Sequence, residues 1–244
     1  MAIIGQRRQR VLKAAGAAAQ RLARPDGHGR GALAAFGALS AADLLAVARS
    51  PRGLRRAAKP LLMPALAGHV LRRRPDASAP VPKALVAGLA FAAAGDTALL
   101  FDAYEPAFLL GMAAFLGTQV SYTAGYTRLG ALRGIARKPW PAVGCLAGWA
   151  AVNAVLAPTL DKQLRLPVAG YSLALALMGA TALGVGGKVA VGAGAFLASD
   201  LLIGLQAAGL DLPSQEVLIM AGYILGQYLI ASGWLERFEQ RQAA

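Results

Sequence analysis

Cysteine occurs once in this chain, at position 145, and histidine twice, at 28 and 69. One thiol excludes an internal disulfide framework. So few thiol and imidazole ligands, set among scattered carboxylates, exclude a zinc-like cluster. Charge is also scarce, at 15% of residues, where a soluble domain carries about a quarter. What the chain has instead is hydrocarbon: 57% of its 244 residues are hydrophobic, and the mean hydropathy is +0.50. These residues come in long blocks. The fold class is therefore all-α, a polytopic transmembrane bundle of about eight helices with short loops.

The net charge of +13 would suggest nucleic acid on a soluble protein. Here the basic residues lie in the N-terminal arm and between the apolar blocks, where they set topology and touch anionic headgroups. Nucleic acid is not an expected partner; the lipid bilayer is. Residues 1–30, ending in "RPDGHGR", read as a basic interfacial helix and linker. The apolar stretch between Lys13 and Arg21 is too short and alanine-rich for a cleavable leader.

Eight windows nearly free of charge follow within residues 31–236. They are bounded by Arg30 and Arg49, Arg56 and Arg72, Lys83 and Asp102, Glu105 and Arg128, Lys138 and Asp161, Arg165 and Lys188, Lys188 and Asp211, and Glu216 and Glu236. The second is short, so Lys59 belongs inside that helix. Residues 237–244 form a short tail. Eighteen of the 25 basic residues fall on the side of the two termini, which predicts both termini in the cytoplasm of a plasma-membrane protein. The loop "RSPRGLRRAAK" opposes that rule. Small-xxx-small patterns, "GCLAG" at Gly144–Gly148 and "GYILG" at Gly222–Gly226, are expected to let helices approach closely.

Carboxylates interrupt three of the windows. Asp43 follows Arg30 by 13 residues, Asp96 follows Lys83 by 13, and Asp200 follows Lys188 by 12. At about 1.5 Å per residue the three lie roughly 18–20 Å from one interface, near the middle of a hydrocarbon slab about 30 Å thick. An aspartate there costs about 3 kcal/mol, and such residues are functional by default. The plainer reading is that each fixes helix packing through hydrogen bonds. It is strongest for Asp43, which can pair with the loop at Arg49. Gln119 and Tyr122 on the fourth window, and Tyr223 and Gln227 on the eighth, fall near the same level. Ser199 adjoins Asp200. In lipid such groups seek one another, so a polar chamber inside the bundle is expected. Lys59 either snorkels or faces that chamber, and His69 reads as interfacial.

Several segments resemble the YhhN family of membrane proteins. They are "KPLLMPAL" at Lys59–Leu66, "AGDTALLF" at Ala94–Phe101, "LPVAGYSLALALM" at Leu166–Met178, "GAFLASDLLIGL" at Gly194–Leu205 and "YILGQYLIASG" at Tyr223–Gly233. The resemblance implies hydrolysis of the vinyl ether bond of a lysoplasmalogen, a lysophospholipid, to a fatty aldehyde and a glycerophospho-ethanolamine or -choline. It makes Asp96 and Asp200 the catalytic pair, expected close together and titrating as a coupled unit, and this chemistry requires no metal or organic cofactor. Tyr122, Tyr171, Ser199, Tyr223, Gln119 and Gln227 would orient them or hold water, and Lys59 would meet the substrate phosphate. The chain departs from the family pattern F-x-x-x-H-x-x-Y, because "FLGTQVSY" has Gln119 at the histidine position. The alternative is a proton-coupled transporter using the same aspartates.

Overall fold

The computed structural model describes residues 26–49, 52–159, 162–207 and 209–242. The arm before residue 26 and the end of the tail lie outside the described residues. Nine helices form among the described residues: α1 (Arg30–Arg49), α2 (Arg52–Arg72), α3 (Lys83–Ala98), α4 (Glu105–Arg128), α5 (Ala131–Arg137), α6 (Trp140–Leu156), α7 (Lys162–Val185), α8 (Gly187–Ala207) and α9 (Gln215–Gln242). Short 3-10 turns extend α3 and α6. The eight long helices coincide with the eight apolar windows, and α5 is a short helix within the basic loop after α4.

The breaks between helices follow local chemistry. Pro80 and Pro82 lead into α3, and Pro106 sits in the first turn of α4, where a missing N–H loses no bond. Gly130 takes φ +92° between α4 and α5, and Gly186 and Gly187 take φ +78° and +60° between α7 and α8. A Cβ disfavours that left-handed region.

Seven of the long helices are long and apolar enough to cross a membrane, so the chain is an integral membrane protein. The exception is α2, whose first turns carry Arg55, Arg56 and Lys59. Its inner face is nonetheless apolar and buried: Ala58, Leu62, Met63, Leu66 and Val70. Large side chains such as Leu110, Val120, Val155 and Leu225 point outward, as a lipid-facing surface requires.

Helix α9 is the most buried of the seven apolar helices. It packs closely on α8 and also touches α1 and α2. Gly192 and Gly226 make the α8–α9 approach: a Cβ on Gly226 would lie 2.9 Å from the Gly192 carbonyl oxygen and 3.0 Å from the Phe196 amide nitrogen. The "GYILG" expectation holds there. It fails for "GCLAG", since Gly144 and Gly148 face open space on α6, a peripheral helix packed mainly on α7. His69, three residues from Arg72, meets the start of α1. It is buried, and its Nδ1 lies 3.0 Å from the Gly29 carbonyl oxygen.

Candidate active site

Inner stripes at helical spacing carry the polar residues inward. On α1 the buried positions are Ala32, Phe36, Ser40, Asp43, Ala46 and Val47. On α3 they are Leu85, Gly88, Leu89, Ala92, Gly95 and Asp96. On α4 the stripe holds Phe115, Thr118, Gln119, Tyr122 and Tyr126. In each, spacings of three and four put the polar group on the core face.

Asp96 is 1% exposed. Its Oδ2 accepts a 2.7 Å hydrogen bond from the Tyr223 hydroxyl of α9. Its Oδ1 lies 3.8 Å from the Lys59 ammonium of α2. Lys59 is itself only 7% exposed, so it neither snorkels nor reaches outward in this structure. Asp43 of α1 lies within electrostatic reach of Lys59, Arg55 and Asp96. The cluster thus draws on four helices: α1, α2, α3 and α9. The ring of Tyr223 is seated edge-on against Phe115 and Phe196, with centroids 5.9 and 5.7 Å away.

From Tyr223 the polar groups continue across the bundle. Gln227, one turn along α9, lies beside the Tyr223 hydroxyl and accepts a 2.7 Å hydrogen bond from Tyr122 on α4. Gln119, one turn before Tyr122, lies beside the Tyr171 hydroxyl of α7. Tyr171 in turn donates a 3.0 Å hydrogen bond to Asp200 Oδ2 on α8. The result is a transverse polar belt from Asp43 to Asp200.

The structure does not join the two expected catalytic carboxylates directly. Among the described residues no hydrogen bond or ion pair links Asp96 to Asp200. Each has its own tyrosine, and only Asp96 has a cation. Asp96 is held by Tyr223 and Lys59, and Asp200 by Tyr171. Ser199 also departs from expectation: its hydroxyl donates to the Ile219 carbonyl oxygen at 2.8 Å, fastening α8 to α9. Asp43 turns inward toward Lys59 and Asp96 rather than pairing with the loop at Arg49. Its depth matched that of the other two aspartates, but Arg49 offered a nearer partner along the chain.

Several buried polar atoms in the belt lack hydrogen-bond partners: both oxygens of Asp43, both amide atoms of Gln119, Nε2 of Gln227 and, beside them, the Tyr126 hydroxyl. Native interiors leave few such groups, and a concentration of them marks where water or a polar ligand is held. Beside Tyr171 an apolar groove of about 450 Å³ opens on the outer surface between α4 and α7, lined by Met112, Leu116, Leu166, Pro167 and Gly170. Among the described residues no cluster of three or more metal-ligating groups occurs.

The sequence profile of the YhhN family matches residues 54–234. The chain belongs to the YhhN family. The match runs from the first turns of α2 to Trp234 in α9, so it takes in every residue of the belt except Asp43. No curated protein and no solved structure matches closely enough to add a relative or a fold neighbour. In this YhhN protein Gln119 lies beside the tyrosine that donates to Asp200. Glutamine there can orient the hydroxyl but cannot carry a proton as imidazole does.

Proposed function

We propose that this YhhN protein is a membrane hydrolase that cleaves the vinyl ether bond of a lysoplasmalogen. The reading is carried by one observation. Two carboxyl groups lie in a bilayer-spanning core, each fixed by a tyrosine, in a belt rich in unpartnered polar atoms. Vinyl ether hydrolysis begins when an acid protonates the β-carbon of the alkenyl chain. The α-carbon becomes an oxocarbenium ion, which water attacks, losing its proton to a carboxylate. The resulting hemiacetal breaks its bond to the glycerol oxygen and leaves an aldehyde and an alcohol. The protein's task is one donor and one acceptor of protons, and Asp96 and Asp200 supply them. Two separated groups suit this chemistry, because water must fit on one side of the reacting carbon, as it does between the paired carboxylates of inverting glycosidases.

The apolar groove beside Tyr171 supports a place for the hydrocarbon chain, with its alkenyl end toward Asp200. Lys59 serves Asp96 in this reading, and Arg55 and Arg56 at the same end of α2 are left to meet the phosphate. The transporter reading gains less support, since α3 and α8, which carry Asp96 and Asp200, contain no proline and run as continuous helices, whereas transporter sites favour broken ones.

The test is aldehyde release by the purified full-length protein in lipid nanodiscs. Release from a lysoplasmalogen, with none from its saturated ether analogue, is expected. Absence of release, with proton-coupled uptake in liposomes, would favour the transporter.

A further inference from the structure

We infer that Asp43 is a third acidic residue of the site, contributed by a helix outside the family-matched stretch, and that Asp43, Lys59 and Asp96 together hold the water that the reaction consumes. The inference rests on the hydrolase reading and adds a residue to it.

Asp43 is 0% exposed and sits in the middle of the inner stripe of α1. Neither carboxylate oxygen has a hydrogen-bond partner. A buried acceptor without a donor is strongly disfavoured, so this position is not explained by packing. The charged groups that face it are Lys59 first, then Arg55, with Asp96 beyond. Arg55 is drawn partly outward, with Nη1 3.9 Å from Glu216 Oε2. Lys59 is the cation Asp43 shares with Asp96.

The contact between Lys59 and Asp96 is loose. At 3.8 Å it exceeds the roughly 2.7–2.9 Å of a charge-assisted hydrogen bond, and among the described residues Nζ makes no hydrogen bond. An ammonium offers three donors and no acceptor. The two neighbouring carboxylates, Asp96 at 3.8 Å and Asp43 within electrostatic reach, offer acceptors and, when ionised, no donor. These groups complement one water molecule, which donates a hydrogen bond to each carboxylate and accepts one from the ammonium. Such a water has its orientation fixed by Lys59 and Asp43 and keeps its second lone pair free for the electrophile, while Asp96 takes the proton it loses. Asp43 acts here as a positioning residue, through Lys59 and through the water.

The test uses Asp43→Asn and Asp43→Glu in the full-length protein in nanodiscs, with aldehyde release and thermal unfolding both measured. Asp43→Asn is expected to lower kcat about 10- to 100-fold, the size of effect that misplacement of a reacting group produces. KM should stay within about twofold, and Asp43→Glu should recover part of the loss. An unchanged kcat per folded molecule overturns the role. A cycle of Asp43→Asn with Lys59→Met, read by unfolding midpoint, does not depend on turnover. Lys59→Met should lower the midpoint much less when Asp43 is already neutral; additive shifts overturn the proposed contact. If the parent protein releases no aldehyde, the hydrolase reading fails by itself, and the cycle still decides whether Asp43 and Lys59 are coupled.

Discussion

Replacing Gly88 by alanine tests whether α3 and α4 are pressed together as the belt requires. A Cβ at that position would lie 2.1 Å from Tyr122 Cε1 and 2.5 Å from Cδ1, where carbon contacts settle at about 3.5–4.0 Å. The ring would have to move by more than an ångström. It has little room, since Tyr126 and Trp234 lie on it with centroids 6.1 and 5.9 Å away, and its hydroxyl is tied to Gln227 at 2.7 Å. Overpacking of this kind costs about 1–3 kcal/mol. Losing the buried hydrogen bond adds about 0.5–1.5 kcal/mol. Alanine returns about 1 kcal/mol of helix propensity. The net expectation is destabilisation by about 1–3 kcal/mol, read from reversible unfolding in mixed micelles. Gly37→Ala on α1, where nothing lies within 4 Å of the added carbon, is the control and should be neutral or stabilising. If Gly88→Ala is as stable as the parent, or more so, Tyr122 is not seated on α3 and the helix packing described here is wrong.

The remaining expectations concern the two ends of the belt and the helix termini. Tyr223→Phe removes the 2.7 Å bond to Asp96, and Tyr171→Phe the 3.0 Å bond to Asp200. A hydrogen bond to a charged partner is worth about 1.5–3 kcal/mol, so each should slow aldehyde release by roughly 10- to 100-fold; parental activity in both variants would contradict the assignment. Gly170→Phe puts a ring at the apolar groove, where nothing lies within 4 Å of the added Cβ. It should raise KM for long-chain substrates more than for short ones, while Gly144→Phe on α6 leaves both unchanged. Asp26 caps α1 by accepting from the Gly29 and His28 amides. Those bonds hold its carboxyl below the usual range, helped by Arg72. A lowered value in the folded state means that the stabilisation is full above about pH 4 and is lost on further acidification through the folded value. Hydrogen exchange at the Gly29 amide should therefore accelerate in acid, and in Asp26→Asn that step should vanish.

The helices were legible because charge marks their ends. Lys83, Glu105 and Arg128 bound α3 and α4 in the sequence and in the structure alike, since an ionised side chain in hydrocarbon is disfavoured strongly enough to fix a boundary within a residue or two. The same markers gave the expectation that Asp43, Asp96 and Asp200 lie at one level, and the structure draws Asp43 and Asp96 to the same cation, Lys59. Azimuth was not legible. Whether Asp96 meets Asp200 or Lys59 depends on how α3 is rotated about its axis and which helix lies beside it, and no spacing along one chain encodes that. The same limit explains the glycines. Gly222 and Gly226 sit against α8 and Gly144 and Gly148 against nothing within 4 Å, although the two patterns look alike. Lys59 was ambiguous because a lysine in a helix's first turns can reach outward as easily as inward. The burial of α2 against α1 and α3 turns it in.

The most direct measurement is aldehyde release from a lysoplasmalogen by Asp96→Asn and Asp200→Asn in nanodiscs, compared with the parent at equal folded concentration. Loss of at least about 100-fold in each, the scale of general acid–base catalysis, is the result expected here. Turnover at the parental rate by both variants would contradict the claim that these two carboxyl groups carry the chemistry.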